Sequence, residues 1–174
     1  MSGSYRVVFA ASKHVPLLPE IERLAASLFG DDVPPRLLEV TTPESVLLAA
    51  QRGNTLWVAL GPDDDPVGFA RVEVEGKRVH LSELDVIPAH GRRGVGTALV
   101  QMVEAWARSN DFAELTLTTY RDLPWNGPFY LGLGFEVVPE SGWDADLLRR
   151  FEREAGLDSE RSRRVVMRKG IGTA

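Results

Sequence analysis

The fold of this chain is decided by the stretch LDVIPAHGRRGVGT, which runs from Leu84 to Thr97. It connects a predicted strand, Leu81 to Ile87, to a predicted helix whose apolar stripe begins at Val95. Backbone N–H groups at the start of a helix lack partners within it, and the helix dipole makes that end partly positive. Gly94 and Gly96 let an anion approach the main chain. The stretch therefore predicts a site for a phosphate or pyrophosphate.

Polar side chains in the same turn add to this site, with positive charge from Arg92 and Arg93 and a hydroxyl donor from Thr97. A Walker A loop would need a lysine, but none lies between positions 85 and 106. A dinucleotide-binding G-x-G-x-x-G would need a third glycine where Leu99 stands. Both common nucleotide motifs are absent, so the turn alone leaves the phosphate ligand open.

Outside the turn, hydrophobic periodicity predicts one domain of the α/β (α+β) class over residues 1–174. The predicted order is a strand, two helices, three antiparallel strands, the turn and its helix, followed by a strand, a short helix, a strand, a helix and a last strand. Thr41 or Thr42 is expected to cap the second helix. The mixed charges from Arg149 to Glu154 predict a solvated helix face, whereas His80 is expected to have a structural role.

Composition excludes several function classes. The 174 residues include no cysteine, which removes thiol nucleophiles, disulfides and zinc ribbons, and the three histidines show no HExxH spacing, so no metal is expected. A net charge of -5 argues against non-specific nucleic-acid binding. No apolar run reaches the roughly 18 residues of a membrane span, and the N-terminus lacks a signal-peptide core. We therefore expect no nucleic-acid or membrane partner and a cytoplasmic location.

Two stretches in sequence resemble motifs of the GCN5-related N-acetyltransferase (GNAT) family. Residues 84–99 (LDVIP, then RRGVGTAL) look like its central motif, and residues 126–135 (NGPFYLGLGF) resemble its second motif. The resemblance implies a mixed, mostly antiparallel central sheet flanked by helices, with a β-turn-α pyrophosphate site. It also implies acetyl-CoA as the co-substrate and a direct transfer to an amine. The family pattern has Gln or Arg where this chain has Gly91, and whether Arg92 supplies that charge is left open.

The resemblance further implies which residues serve the reaction. Tyr130 would protonate the departing thiolate, and Glu83 would act as general base, with Asp85 or water as alternatives. Without the resemblance, Tyr130 is equally readable as a core aromatic, the two carboxylates as solvent-facing strand residues, and Asn126 as a helix cap. The residues expected to bind the cofactor are Asp85, Val86, Ile87, Arg92, Arg93, Gly94, Val95, Gly96, Thr97, Asn126 and Phe129.

The sequence contains no signature of the acceptor. A small-molecule amine and a peptide amine both remain open as partners, and so does a homodimer. The alternative function is a non-catalytic module that binds or senses acyl-CoA without transferring the acyl group.

Overall fold

The computed structural model describes residues 5–155 and 161–172. The strands in this part of the chain are β1 (Arg6–Phe9), β2 (Leu56–Leu60), β3 (Pro66–Glu75), β4 (Arg78–Val86), β5 (Glu114–Tyr120), β6 (Glu136–Val138) and β7 (Arg164–Gly170). The α-helices are α1 (Leu18–Ala26), α2 (Pro35–Leu38), α3 (Glu44–Arg52), α4 (Val95–Ser109), α5 (Gly127–Gly132) and α6 (Ala145–Ala155).

These strands form one sheet in the order β1-β2-β3-β4-β5-β7-β6. Strands β4 and β5 are parallel, and Arg78–His80 of β4 pair with Glu114–Thr116 of β5. Antiparallel registers connect β1 to β2, β2 to β3, β5 to β7 and β6 to β7. The prediction of a mixed, mostly antiparallel sheet flanked by helices is confirmed.

Tertiary contacts divide the described residues into two compact units. Unit 1 comprises residues 5–73 and 81–106, and unit 2 comprises residues 74–80, 107–155 and 161–172. Strands β3 and β4 and helix α4 each contribute residues to both units. The prediction of a single domain over residues 1–174 stays a prediction.

The core of unit 1 is built on strand β2, which is buried at all five residues, as expected for a nearly continuous apolar run. Apolar side chains of β1–β3, α1, α3 and the segment before α1 meet there. The buried members are Ala10, Val15, Leu18, Ile21, Leu47, Leu56, Val58, Leu60 and Phe69.

The start of helix α3 differs from the prediction of a threonine cap. Its N-cap residue is Pro43, and no side chain makes a capping hydrogen bond there. Instead, the Thr42 backbone N–H and hydroxyl both donate to the Glu22 carboxylate, at 2.8 and 3.2 Å. Thr42 thus ties the segment before α3 to α1. Its hydroxyl donates to a carboxylate in a charge-assisted hydrogen bond and does not accept from the N–H groups at the start of α3.

Helix α6 packs on unit 2 through Leu147, Phe151 and Ala155, which share a core cluster with Val138 and Val166. The prediction that its charged residues form a solvated face is wrong for Arg150 and for Glu154, which is only partly exposed, whereas Arg149, Glu152 and Arg153 are exposed.

The buried exception is Arg150, whose residue exposure is 3%. The arginine is buried because the Glu75 carboxylate of β3, together with Glu154 four residues further along α6, lies next to its guanidinium. A helical charge pattern does not reveal the partner on β3.

Candidate active site

The turn between β4 and α4 follows the predicted strand–turn–helix pattern. A 3-10 turn over Pro88–His90 closes with the Gly91 N–H donating to the Pro88 carbonyl at 3.0 Å. Helix α4 then begins at Val95. Two residues between them have left-handed backbones, Arg92 with φ of 57° and Gly94 with φ of 81°. Glycine adopts this conformation without cost, whereas arginine rarely does.

The turn is open and positively charged. Arg92, Arg93 and Gly94 are exposed, and a Cβ added at Gly94 would meet nothing within 4 Å. Gly96 and Thr97 lie half-buried in the first turn of α4, where helix N–H groups have no helical partner. The free space, the cationic side chains and the helix start together fit a phosphate group.

A tyrosine at the start of unit 1 braces this turn. The Tyr5 hydroxyl lies 2.9 Å from His90 Nδ1, and the two rings meet edge to face with centroids 5.7 Å apart. Arg93 Nη1 donates to the same hydroxyl at 3.4 Å. Sequence reasoning did not single out Tyr5, because 85 residues separate it from His90.

The two predicted carboxylates of β4 occupy different environments within unit 1. Glu83 Oε1 lies 3.9 Å from Arg71 Nη2, and its side chain is about a third exposed. Arg71 is itself buried, at 8% exposure, and also donates from Nη1 to Glu73 at 2.9 Å. Glu83 therefore shares one guanidinium with a second carboxylate.

Asp85 is half-buried as a residue, but its Oδ2 atom is inaccessible and has no hydrogen-bond partner among the residues that the structure describes. Burial, followed by the charges of Glu83 and Glu22, raises the pKa of Asp85 well above its usual range. Burial also raises the pKa of Glu22. The two hydrogen bonds from Thr42 and the charge of Arg71 act in the opposite direction and lower this pKa, but by less than burial raises it. Three carboxyl groups from α1 and β4 thus influence one another.

Glu22 and Arg71 were not identified from the sequence as neighbours of the β4 carboxylates. Glu22 follows the buried Ile21 on α1, but in an amphipathic helix such a residue resembles an ordinary boundary position. Arg71 offered a usable signal, because it is a charged residue within the otherwise apolar run from Val67 to Val72 of a strand.

Glycine at position 68 brings β3 close to β4 beside Asp85. A Cβ added at Gly68 would lie 2.6 Å from the Asp85 backbone oxygen and 3.1 Å from Val86 Cγ2. Both distances are shorter than ordinary van der Waals contact. Asp85, Val86 and Ile87 are therefore placed by a strand approach that only glycine allows.

The remaining predicted residues, Asn126, Phe129 and Tyr130, belong to unit 2. Tyr130 is 7% exposed, and its ring meets Phe129 and Phe135 edge to face at 5.0 and 5.6 Å between centroids. Asn126 is the N-cap residue of α5 but makes no side-chain capping bond. A Cβ at Gly127 would lie 2.5 Å from the Arg121 oxygen, so this glycine seats α5 against the end of β5.

A separate polar network lies in unit 2 around His80, which is 1% exposed. His80 Nδ1 lies 2.9 Å from Thr116 Oγ1, and Nε2 lies 3.0 Å from Glu154 Oε1. Arg150 lies 3.5 Å from the same Glu154 oxygen and also pairs with Glu75. The structural role expected of His80 agrees with this arrangement, because each polar side chain of the network contacts another of its members.

No group of three or more His, Asp or Glu side chains in residues 5–155 and 161–172 is arranged to hold a metal ion. No helix in that part of the chain is long and apolar enough to cross a membrane.

A mixed, mostly antiparallel sheet flanked by helices, with a strand–turn–helix unit at β4 and α4, is the fold that the GNAT resemblance implied. The chain belongs to the acetyltransferase (GNAT) family, whose family model matches residues 18–135.

Two proteins with similar sequences are also acetyltransferases. The chain is 52% identical over 60 residues to a mycothiol acetyltransferase of Clavibacter sepedonicus, covering 34% of this chain and 19% of that protein. It is 30% identical over 97 residues to an aminoglycoside N(6')-acetyltransferase type 1 of Klebsiella aerogenes, covering 51% of this chain and 64% of that protein. The aligned region thus spans less than two thirds of either relative.

The fold is similar to that of the PaiA N-acetyltransferase of Thermoplasma acidophilum, solved in complex with coenzyme A. The TM-score is 0.77 at 16% sequence identity, and the alignment covers 96% of this chain and 99% of the other. At this identity the likeness concerns the fold.

Proposed function

We propose that this chain is an N-acetyltransferase that transfers the acetyl group of acetyl-CoA to a primary amine within a ternary complex. The observation that carries the proposal is the turn after β4, whose exposed arginines, open glycine and helix start fit a pyrophosphate. Family membership and a fold neighbour solved with coenzyme A support this ligand.

In this proposal the backbone of the turn holds the pyrophosphate, and Arg92 and Arg93 add charge. The edge of β4 lies along the pantetheine arm. The residues assigned to the cofactor are those expected from the sequence: Asp85, Val86, Ile87, Arg92, Arg93, Gly94, Val95, Gly96, Thr97, Asn126 and Phe129.

The proposed chemistry is a direct attack. An alkylammonium has a pKa near 10.4, so removing its proton at pH 7 costs roughly 4–5 kcal/mol and calls for a general base. The neutral nitrogen then forms a bond to the thioester carbon, and the C–S bond breaks. Tyr130 donates its phenolic proton to the departing thiolate, and the proton left on the new amide nitrogen restores the phenol. The proposed base is Glu83, and the alternatives are Asp85 or water alone.

The cofactor assignment is tested by calorimetric titration with coenzyme A. Gly94→Val places a β-branched side chain on a backbone with φ of 81° and should weaken coenzyme A binding at least about tenfold. Gly172→Ala is the control, because its added methyl group would meet open space. Unchanged affinity in a folded Gly94→Val protein would remove the turn from the cofactor site.

The transfer itself is tested by following thiol release across a panel of amines. Tyr130→Phe should lower kcat about 100-fold while leaving acetyl-CoA affinity nearly unchanged. An unchanged kcat would remove Tyr130 from the mechanism. Binding of acetyl-CoA without turnover of any amine would instead indicate the alternative, a non-catalytic acyl-CoA-binding module.

The proposal also covers the acceptor, the location and the oligomeric state. We propose a small-molecule or peptide amine as acceptor and a cytoplasmic location, with no nucleic acid or membrane partner. Gel filtration with light scattering would decide between a monomer and a homodimer.

A further inference from the structure

The hydroxyl of Tyr5 contacts two side chains of the turn between β4 and α4. It lies 2.9 Å from His90 Nδ1 and accepts a hydrogen bond from Arg93 Nη1 at 3.4 Å. Arginine carries only donors, so the hydrogen of the Tyr5 hydroxyl is available for the histidine nitrogen. A side chain from the residue before β1 thus bridges two turn residues that lie three positions apart.

Between these two contacts the backbone has a conformation that its residue type does not favour. Arg92 has a φ of 57°, a left-handed value that a residue with a side chain rarely adopts. Such a conformation persists where the surrounding contacts impose it. The Tyr5 hydroxyl supplies contacts of this kind, because the residues it bridges, His90 and Arg93, lie on either side of Arg92.

His90 is also placed against the core of unit 1. Its ring meets the Tyr5 ring edge to face, with centroids 5.7 Å apart. A Cβ added at Gly61, the residue after β2, would lie 3.8 Å from His90 Cε1. The histidine ring therefore lies next to the end of β2, a strand that is buried along its whole length.

We propose that Tyr5 is a positioning residue of the donor site. Its hydroxyl holds residues 90–93 in the form in which the turn receives the pyrophosphate of acetyl-CoA. A site that its ligand does not have to order binds more tightly, so loss of the hydroxyl weakens every donor that carries the pyrophosphate. This inference rests on the proposed acetyltransferase function and adds a residue from outside the two sequence motifs.

Calorimetric titration of Tyr5→Phe with coenzyme A tests the proposal. Phenylalanine keeps the ring that contacts His90 and removes only the hydroxyl, and circular dichroism would show that the variant is folded. We expect the Kd of coenzyme A to rise about 5- to 10-fold, the effect of losing one or two hydrogen bonds. Tyr120→Phe, which removes a phenol hydroxyl from unit 2, is the matched control and should leave the Kd within about twofold.

A second ligand locates the effect. Dephospho-coenzyme A keeps the pyrophosphate but lacks the phosphate on the ribose, so Tyr5→Phe should weaken the binding of both ligands by the same factor. A loss confined to coenzyme A would assign the tyrosine to the ribose phosphate and overturn its role at the pyrophosphate.

The backbone of Arg92 gives a readout that a merely structural tyrosine would not change. Glycine adopts a φ of 57° without strain, so the turn of an Arg92→Gly protein depends less on the hydroxyl. Adding Tyr5→Phe to Arg92→Gly should therefore change the Kd of coenzyme A less than about twofold. An equal loss with and without Arg92→Gly would show that the hydroxyl does not act through this backbone.

The outcomes separate this inference from the proposed function. Equal Kd values for the native protein and a folded Tyr5→Phe would overturn the positioning role and leave the acetyltransferase proposal intact. Failure of the native protein to bind coenzyme A would overturn both.

Discussion

Strand β4 passes through two polar regions with opposite charge balance. In unit 2, His80 contacts Thr116 and Glu154, and Arg150 pairs with both Glu75 and Glu154. In unit 1, a few residues further along, Asp85 has a buried carboxyl oxygen without a hydrogen-bond partner in the described residues. The charged groups of the first region pair with one another, whereas the buried Asp85 oxygen of the second has no such partner in the described residues.

This difference distinguishes structural from functional polar groups on the same strand by whether their charges are paired. A network whose members satisfy one another contributes to stability and leaves little to offer a ligand. An unbalanced cluster lowers stability, and strongly perturbed titratable groups of this kind are typical of functional sites. Removing a charge should therefore lower the free energy of unfolding in the first region and raise it in the second.

The largest effect is expected for Arg150→Met in unit 2. It leaves the Glu75 and Glu154 carboxylates without the guanidinium between them and should lower the free energy of unfolding by about 3–5 kcal/mol. Urea unfolding would measure the loss. The matched control is Arg153→Met, because Arg153 lies 3.9 Å from the same Glu75 oxygen but is 61% exposed in its side chain. Equal losses in both variants would contradict the idea of a buried, self-satisfied network.

Gly68→Ala should disturb unit 1 without changing any charge. Because the added Cβ would start 2.6 Å from the Asp85 backbone oxygen, β3 and β4 must move apart, at an expected cost of about 1–3 kcal/mol. Thermal unfolding would show the loss. A variant as stable as the native protein would mean that the strand approach at Asp85 relaxes freely.

Asp85→Asn is expected to act in the opposite direction and raise the stability at pH 7 by about 1 kcal/mol. The folded-state pKa of Asp85 is raised, so its protonated form is stabilised by folding. The contribution of Asp85 to stability is then most favourable below the ordinary aspartate pKa of about 3.9 and is lost as the pH rises towards the folded-state pKa.

The amide variant lacks this titration. Its advantage over the native protein should therefore grow between pH 4 and pH 7 in urea unfolding experiments. An advantage that is constant with pH, or a loss at pH 7, would show that Asp85 is well paired in the folded state.

The smallest effect is expected at Asp144, where a hydrogen bond from Arg78 lowers the pKa to about 2. Its side chain is 52% exposed, so Asp144→Asn should cost less than about 1 kcal/mol at pH 7. Asp144 also caps α6, because its Oδ1 accepts a hydrogen bond from the Leu147 N–H at 2.9 Å. Asparagine caps helices as well as aspartate does, so the change isolates the charge. The difference from the native protein should vanish as the pH falls from about 4 towards 2, and a difference that persists at pH 2 would point to the cap instead.

Much of the fold followed from local patterns. The apolar run at β2 and the glycine-containing turn before α4 carry their structure in a few adjacent residues, so the sequence predicts both. The cluster around Asp85 could not be predicted, because Glu22 and Arg71 reach it from other elements. The same is true of Arg150 and Thr42, whose local patterns predict a solvated face and a helix cap. Each has a carboxylate partner distant in the chain, which is Glu75 for Arg150 and Glu22 for Thr42.

The left-handed backbone of Arg92 has a consequence for engineering. Glycine would adopt a φ of 57° without strain, whereas a residue with a side chain loses about 1 kcal/mol or more there. A search for thermostable variants should therefore select Arg92→Gly readily, and the gain would come with one positive charge fewer in the turn. Heat resistance and donor affinity would then diverge at this one position.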